Sequence, residues 1–199
     1  NVELYKSSVP ARYGGRISSV LEVNAREGNK NRFTGSAGIG LLTTRISLEG
    51  PLVKDKTSIL IAGRTTYSDW LMRLIPENSG YNDGTANFYD LNAGISHRFN
   101  KNNHLFVNGY FSRDKFSFNR NVSYQYQNIN TSVRYRSIVS DRTDMVISGA
   151  YDKYNYHTLD TTNAGMGYDM AFSLQQTSLK ADFTTRMNGK HKLNYGVNA

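Results

Sequence analysis

The feature that most constrains this chain is an alternation of period two that runs through nearly all of it. In FYDLNAGISHRFNKNNHLFVNGYFSRD (88–114), every second residue from Tyr89 gives Tyr, Leu, Ala, Ile, His and Phe. The residues between them are Asp90, Asn92, Gly94, Ser96 and Arg98. Asn-Lys-Asn-Asn follows, and the alternation resumes. Alternation of this kind sends apolar side chains to one face of an extended strand and polar ones to the other.

The same pattern predicts strands at 15–25, 32–40, 43–50, 57–67, 88–99, 104–113, 127–139, 143–154, 172–187 and 191–198. Helical spacing occurs only in SDWLMRLIP (68–76), which ends at a proline. The connections 51–56, 100–103, 140–142 and 188–190 are short and rich in Asn, Asp and Gly, as tight turns require. Those near 70–87, 114–123 and 158–170 are long and polar.

Two architectures accept such strands. In a soluble sandwich the apolar rows meet in a dry core. In an antiparallel transmembrane β-barrel they face lipid, and closure satisfies backbone groups that lipid cannot. Transmembrane strands need about 9–11 residues, and several segments reach that length. Alternating short and long connections, with Tyr67, Tyr89, Phe99, Phe111, Tyr151 and Phe183 near strand ends, favour the barrel.

Composition narrows the function. The 199 residues include 14 Tyr, 9 Phe, one Trp, three Pro and no Cys, so thiol chemistry is excluded. No run of about 18 apolar residues is present, which excludes a transmembrane helix. The opening NVELYKSSVP has no signal-peptide pattern and reads as mid-protein sequence. The net charge of +8 comes from residues spread singly, such as Arg45, Arg64, Arg98, Arg134, Lys180 and Arg186, without the dense cluster nucleic acid calls for.

No catalytic constellation is evident, and a non-enzyme is expected. His97, His104, His157 and His191 have no metal-site spacing, and neither metal nor cofactor is expected. The glycines of SAGIGLL (Gly38, Gly40, with Gly35 before them) lack the strand–helix context of a nucleotide loop.

Two passages carry a family resemblance: SSVPARYGGRISSVLEVNAREGN, and GSAGIGLLTTRISLEGPLVKDKTSILIAGRTTYSDWL. They resemble TonB-dependent outer-membrane receptors, especially those of Bacteroidetes. In that family a Tyr-Gly-Gly stretch ends the plug domain, like Tyr13-Gly14-Gly15, and a Gly-Pro turn closes the second barrel strand, like Gly50-Pro51. The resemblance is most specific over 7–71. It implies the end of a plug at 1–28 and the first part of a barrel at 29–199, about nine strands of a larger, 22-stranded barrel. The chain is then expected to be an internal fragment.

The resemblance implies import of an extracellular nutrient (siderophore, cobalamin, glycan or peptide) by energy-coupled plug movement. Its partners would be outer-membrane lipid and lipopolysaccharide, the TonB transducer acting through a further N-terminal segment, and a surface lipoprotein. The location would be the bacterial outer membrane. A passive porin fits less well, because a plug-like segment precedes the strands; an adhesin or carbohydrate-binding sandwich is the alternative.

The expected lumen- or plug-facing residues are Arg45, Glu49, Arg64, Asp90, Arg98, Arg134, Arg136, Asp152, Lys180, Asp182 and Arg186. Candidate extracellular ligand contacts are Trp70, Tyr81, Asn82 and Asp83. The plug end would be Arg12, Tyr13, Gly14, Gly15 and Arg16, with structural roles for both arginines.

Overall fold

A computed structural model describes residues 2–6, 9–14, 18–76, 84–117, 119, 121–162 and 165–199. The protein is all-β. Strands β1 (Val2–Tyr5) and β2 (Val20–Val23) form a small antiparallel pair, joined through a 3-10 turn at Ala11–Tyr13. A single nine-stranded antiparallel sheet follows, built from β3 (Thr34–Ile39), β4 (Thr43–Val53), β5 (Thr57–Thr66), β6 (Thr85–Arg98), β7 (Asn103–Ser117), β8 (Val122–Ser140), β9 (Thr143–Asp160), β10 (Tyr168–Arg186) and β11 (Lys192–Asn198). Each strand pairs with its sequence neighbours, so the sheet is an up-and-down meander. It is open, with β3 and β11 at its edges.

Register sorts the side chains cleanly. One cross-strand row reads Leu48, Ile61, Ala93, Gly109, Thr131 and Tyr151; the row below it reads Ile59, Ile95, Val107, Val133, Gly149 and Leu179. This apolar face stays open. Ile46, Leu48, Ile61, Leu91 and Leu179 are 49–61% exposed. Among the described residues no second sheet or helix packs over it.

The opposite face is polar and lined with small side chains at its centre. One row there reads Gly94, Asn108, Ser132, Ala150 and Ser178. Leu60 is the one buried hydrophobic residue among those described, and it lies on this face beside Ser58 and Ser96, both buried. A sandwich would place its dry core under the apolar rows. Here most of the burial lies on the polar side, at Ser58, Leu60, Ser96, Ser112 and Thr158, with Gly50 and Ser117 on the other.

Several predicted boundaries move. Pro51 lies within β4, not in a turn, because β4 outlasts its pairing with β3, which ends at Thr34–Glu49. Proline is tolerated where its missing N–H has no partner to serve. The turn comes at Lys54–Lys56, with Asp55 at φ 60, a conformation Asp accepts more readily than most residues. The predicted helix at 68–76 shrinks to one turn, α1 (Asp69–Met72). The predicted strand at 15–25 is β2 alone among its described residues, and β1 was not expected.

The largest difference is in length. β7 to β10 run 15–19 residues and occupy much of the predicted loops 114–123 and 158–170.

Candidate functional site

The site begins with the N-terminal segment, which docks on the polar face of the sheet. Its anchor is Glu22 on β2. The Arg12 guanidinium donates to Glu22 Oε2 at 2.8 Å and to Tyr5 Oη at 3.2 Å, and Asn24 Nδ2 donates to Glu22 Oε1 at 3.0 Å. The Tyr13 hydroxyl also donates to Glu22. Burial, and then that bond, push the Tyr13 phenol up to about 12. The bond from Tyr13, with those from Asn24 and the charge of Arg12, holds the Glu22 carboxyl below its ordinary value despite partial burial.

The sheet meets this cluster with side chains from four strands. Lys180 Nζ on β10 donates to the Arg12 carbonyl at 2.7 Å and lies 5.0 Å from the centre of the Tyr13 ring. Arg134 on β8 donates to Asn24 Oδ1 at 2.7 Å. Arg26 reaches Glu49 on β4 at 3.0 Å, and Ser96 on β6 donates to Glu27 at 3.4 Å. Gly28 lies so close to β5 that an added Cβ would sit 2.4 Å from the Ile59 carbonyl oxygen. Only glycine permits that approach without a backbone shift.

Between segment and sheet lies a cavity of about 800 Å³, floored by the small residues Ser47, Ala62, Asn108, Ser132, Ala150 and Ser178. A second space of about 660 Å³ adjoins it, walled by Arg12, Arg134, Arg136, Lys180, Asp182 and Arg186.

The eleven charged residues expected to share an interior face do lie on one face of the sheet, by register. Their pairing is mostly between adjacent strands. Arg64 meets Asp90 at 2.7 Å, Arg186 meets Asp144 at 2.8 Å, and Lys180 approaches Asp182 at 3.5 Å. Asp152 accepts from Asn130 at 2.5 Å. Arg134 also places its guanidinium 5.2 Å from the Phe106 ring centre. Glu49, Arg134 and Lys180 go further and hold the N-terminal segment. Arg45, Arg98 and Arg136 lie on the same face.

Of the plug-end residues, Arg12 and Tyr13 form the cluster just described, Gly14 follows the 3-10 turn, and Gly15 and Arg16 lie outside the described residues. Tyr81, Asn82 and Asp83 also lie outside them. Trp70 has a structural contact: its indole N–H donates to the Leu41 carbonyl at 3.2 Å, tying α1 to the β3–β4 hairpin, while the side chain remains 43% exposed. Asp69 bonds the backbone N–H of Ala86 at 3.3 Å. Among the described residues no three His, Asp or Glu side chains converge as a metal site.

Sequence reasoning missed two groups. Glu22, Asn24, Arg26 and Glu27 supply most of the docking contacts; the signal was a dense polar run directly after the Leu21/Val23 alternation. The second is an aromatic cluster high on the polar face of β7–β10, including Tyr124, Tyr126, Tyr154, Tyr156 and Phe172. Its signal was the period-two aromatics of SYQYQ and YNYH.

Compared with known proteins, the chain matches no family model and no curated sequence.

Proposed function

We propose that this chain is one wall of a transmembrane β-barrel in the bacterial outer membrane, and that residues 1–28 are the end of a plug lodged against its interior. In this reading the whole is a TonB-dependent receptor that binds an extracellular nutrient and admits it when the plug is pulled. No bond is made or broken. The partners are membrane lipid, the nutrient, and an inner-membrane energy transducer.

The observation that carries the reading is the asymmetry of the two faces. The polar face holds the N-terminal segment through Arg26–Glu49, Lys180–Arg12 and Arg134–Asn24. The apolar face presents Ile39, Ile46, Leu48, Ile61, Leu91 and Leu179 with nothing layered over them among the described residues. Water would penalise so large an apolar surface, at about 25 cal/mol for each Å². A hydrocarbon environment removes the penalty.

The band also has a suitable height. Tyr89 to Phe99 on the β6 side is about ten residue steps, or roughly 34 Å of strand. At a tilt of about 40–45° that is close to 25 Å, the height of a lipid-facing band.

The absence of native Cys makes the test direct. Single cysteines at Ile61, Leu91 and Leu179 should resist a membrane-impermeant maleimide in proteoliposomes, while cysteines at Gln127 and Asn155 should react. Rapid labelling of all five, with a protein monodisperse in detergent-free buffer, would overturn the reading in favour of a soluble sandwich or adhesin.

A further inference from the structure

On β7–β10 the two faces exchange character partway along the strands. Up to the row of Leu91, Phe111 and Ile129, the lipid-type face is largely apolar, with Lys153 and Gln175 already polar in that row on β9 and β10. In the next row it reads Arg113, Gln127, Asn155 and Ser173. The opposite face does the reverse. Its rows there read Phe88, Asp114, Tyr126, Tyr156 and Phe172, then Phe116, Tyr124, Thr158 and Met170. A single carboxylate, Asp114, thus stands within a wall of rings.

We propose that this wall binds a small quaternary ammonium ion, with Asp114 as its counter-ion. The proposal rests on the barrel reading for its location, at the mouth of the interior, and deepens that reading by naming a ligand class. The cross-strand neighbours of Asp114 are Phe88 and Tyr126, and Phe116 follows on the same face of its own strand. The rings continue outward from there. Phe116 and Tyr124 lie 6.4 Å apart, Tyr126 and Tyr156 5.3 Å, and Tyr156 and Phe172 5.0 Å, centre to centre. They are not sealed, since Phe172 is 45% exposed and Asp114 is only half-buried.

Charge selects a cation. On the inner rows of β6–β10 from Asp152 upward, the charged residues described are Asp90, Asp114, Asp152 and Asp160, all acidic. The cations at that level, Arg45 and Arg64, stand on β4 and β5. Three of the carboxylates are engaged: Asp90 with Arg64 at 2.7 Å, Asp152 with Asn130 at 2.5 Å, and Asp160 with the Thr162 N–H at 2.8 Å. Asp114 has no hydrogen bond or ion pair among the described residues. An anion meets repulsion here, and a neutral ligand leaves Asp114 unpaired.

The rings select the kind of cation. The fold already sets one on this wall, with the Arg64 guanidinium 4.9 Å from the centre of the Phe88 ring. Aromatic faces attract cations through their quadrupole, more strongly where water is displaced. A metal ion needs several oxygen ligands, and one free carboxylate does not supply them. A primary ammonium carries three N–H donors, which ring faces satisfy poorly. A quaternary ammonium has no N–H to satisfy, and its methyl surface packs on the rings while its charge faces Asp114.

The test uses the full-length protein purified in detergent. It is titrated calorimetrically with choline, with the neutral alcohol in which carbon replaces the choline nitrogen, with potassium and with trilysine. Choline should bind, and the alcohol should bind at least about tenfold more weakly, since it lacks both the ion pair and the cation–π contacts. Asp114→Asn, which keeps the shape, should weaken choline about tenfold, and Tyr126→Ala about fivefold. Tyr126→Phe keeps the ring and should have little effect, and Arg113→Ala on the opposite face should have none. Protease resistance equal to wild type establishes that the variants are folded. No choline binding, equal binding of the alcohol, indifference to Asp114→Asn and Tyr126→Ala, or tighter binding of potassium or trilysine overturns the site. A protein that inserts into bilayers yet gives any of those results overturns the site alone. One that is monodisperse without detergent overturns the barrel reading beneath it.

Discussion

The two sides of the sheet solve different problems with the same alternation. On the β3–β5 side the strands are 6–11 residues long and stop near the row of Thr44, Thr65 and Tyr89. The interior there is occupied: Arg26 and Gly28 press on β4 and β5, and Ser58 and Leu60 are buried. On the β7–β10 side the strands run 15–19 residues and continue past that row, which on them reads Arg113, Gln127, Asn155 and Ser173. Their interior there is open and aromatic. The short side ends where the long side changes polarity. One boundary explains both; it follows the register from β5 to β8 and steps one row lower on β9 and β10, at Lys153 and Gln175.

That comparison can be broken most forcefully by placing a charge on either side of the boundary. Ile61→Arg lies mid-band and is expected to cost about 2–4 kcal/mol of stability in lipid, while Gln127→Arg, above the boundary, should cost about 0–1 kcal/mol. Urea unfolding in lipid vesicles measures both. Equal, small effects would place the two positions in the same solvent, since a surface change in water usually stays within about 0.5 kcal/mol.

The occupied interior of the short side is tested by Gly28→Val. The new side chain would run into the Ile59 carbonyl and should cost about 1–3 kcal/mol of docking, as overpacking does. Faster protease cleavage within 18–30 would report it. A cleavage rate equal to wild type would mean that the segment is not held there.

A smaller effect should follow from pH. The Glu22 carboxyl is lowered in the folded state, so its contribution is fully present above its ordinary value and is lost as pH falls through the depressed one. The segment should therefore loosen only below about pH 4, and Glu22→Gln should abolish that dependence at a cost on the order of 1 kcal/mol. Tyr13 works in the other direction. Its raised value means that stability is present below about 10 and lost as pH climbs toward 12. Hydrogen exchange of 18–30 against pH measures both limbs. Smallest of all, Arg113→Ala and Lys115→Ala, on the outer face above the boundary, should each change stability by less than about 0.5 kcal/mol.

How much of this was legible follows from the same boundary. Within the band, alternation located all nine strands of the sheet and the shared face of the eleven charged residues it singled out, since Arg64, Asp90 and Arg134 sit opposite Ile61, Leu91 and Val133; Lys153, on the apolar side in the row of Ile129, it did not assign. Above it, reading by the apolar row stopped strands early. At Arg113, Gln127 and Asn155 the row turns polar while the backbone ladder continues. The period had not changed; its phase had. Tyr124, Tyr126 and Tyr156 kept the beat on the other face just outside the predicted strands 127–139 and 143–154, and Tyr154 closed the second of them. The docking contacts were hidden for a different reason. Arg134 to Asn24 spans 110 positions and Lys180 to Arg12 spans 168, and no local pattern encodes such a meeting.

The meander itself has a consequence for assembly. Every strand of the sheet finds its partner in the segment just before or just after it, so the ladder can zip hairpin by hairpin with short loop closures at each step. The slow event is then the arrival of the N-terminal segment, whose contacts on β8 and β10 do not exist until those strands have joined. Folding should register in two kinetic phases, growth of the ladder first and capture of its own leading segment last.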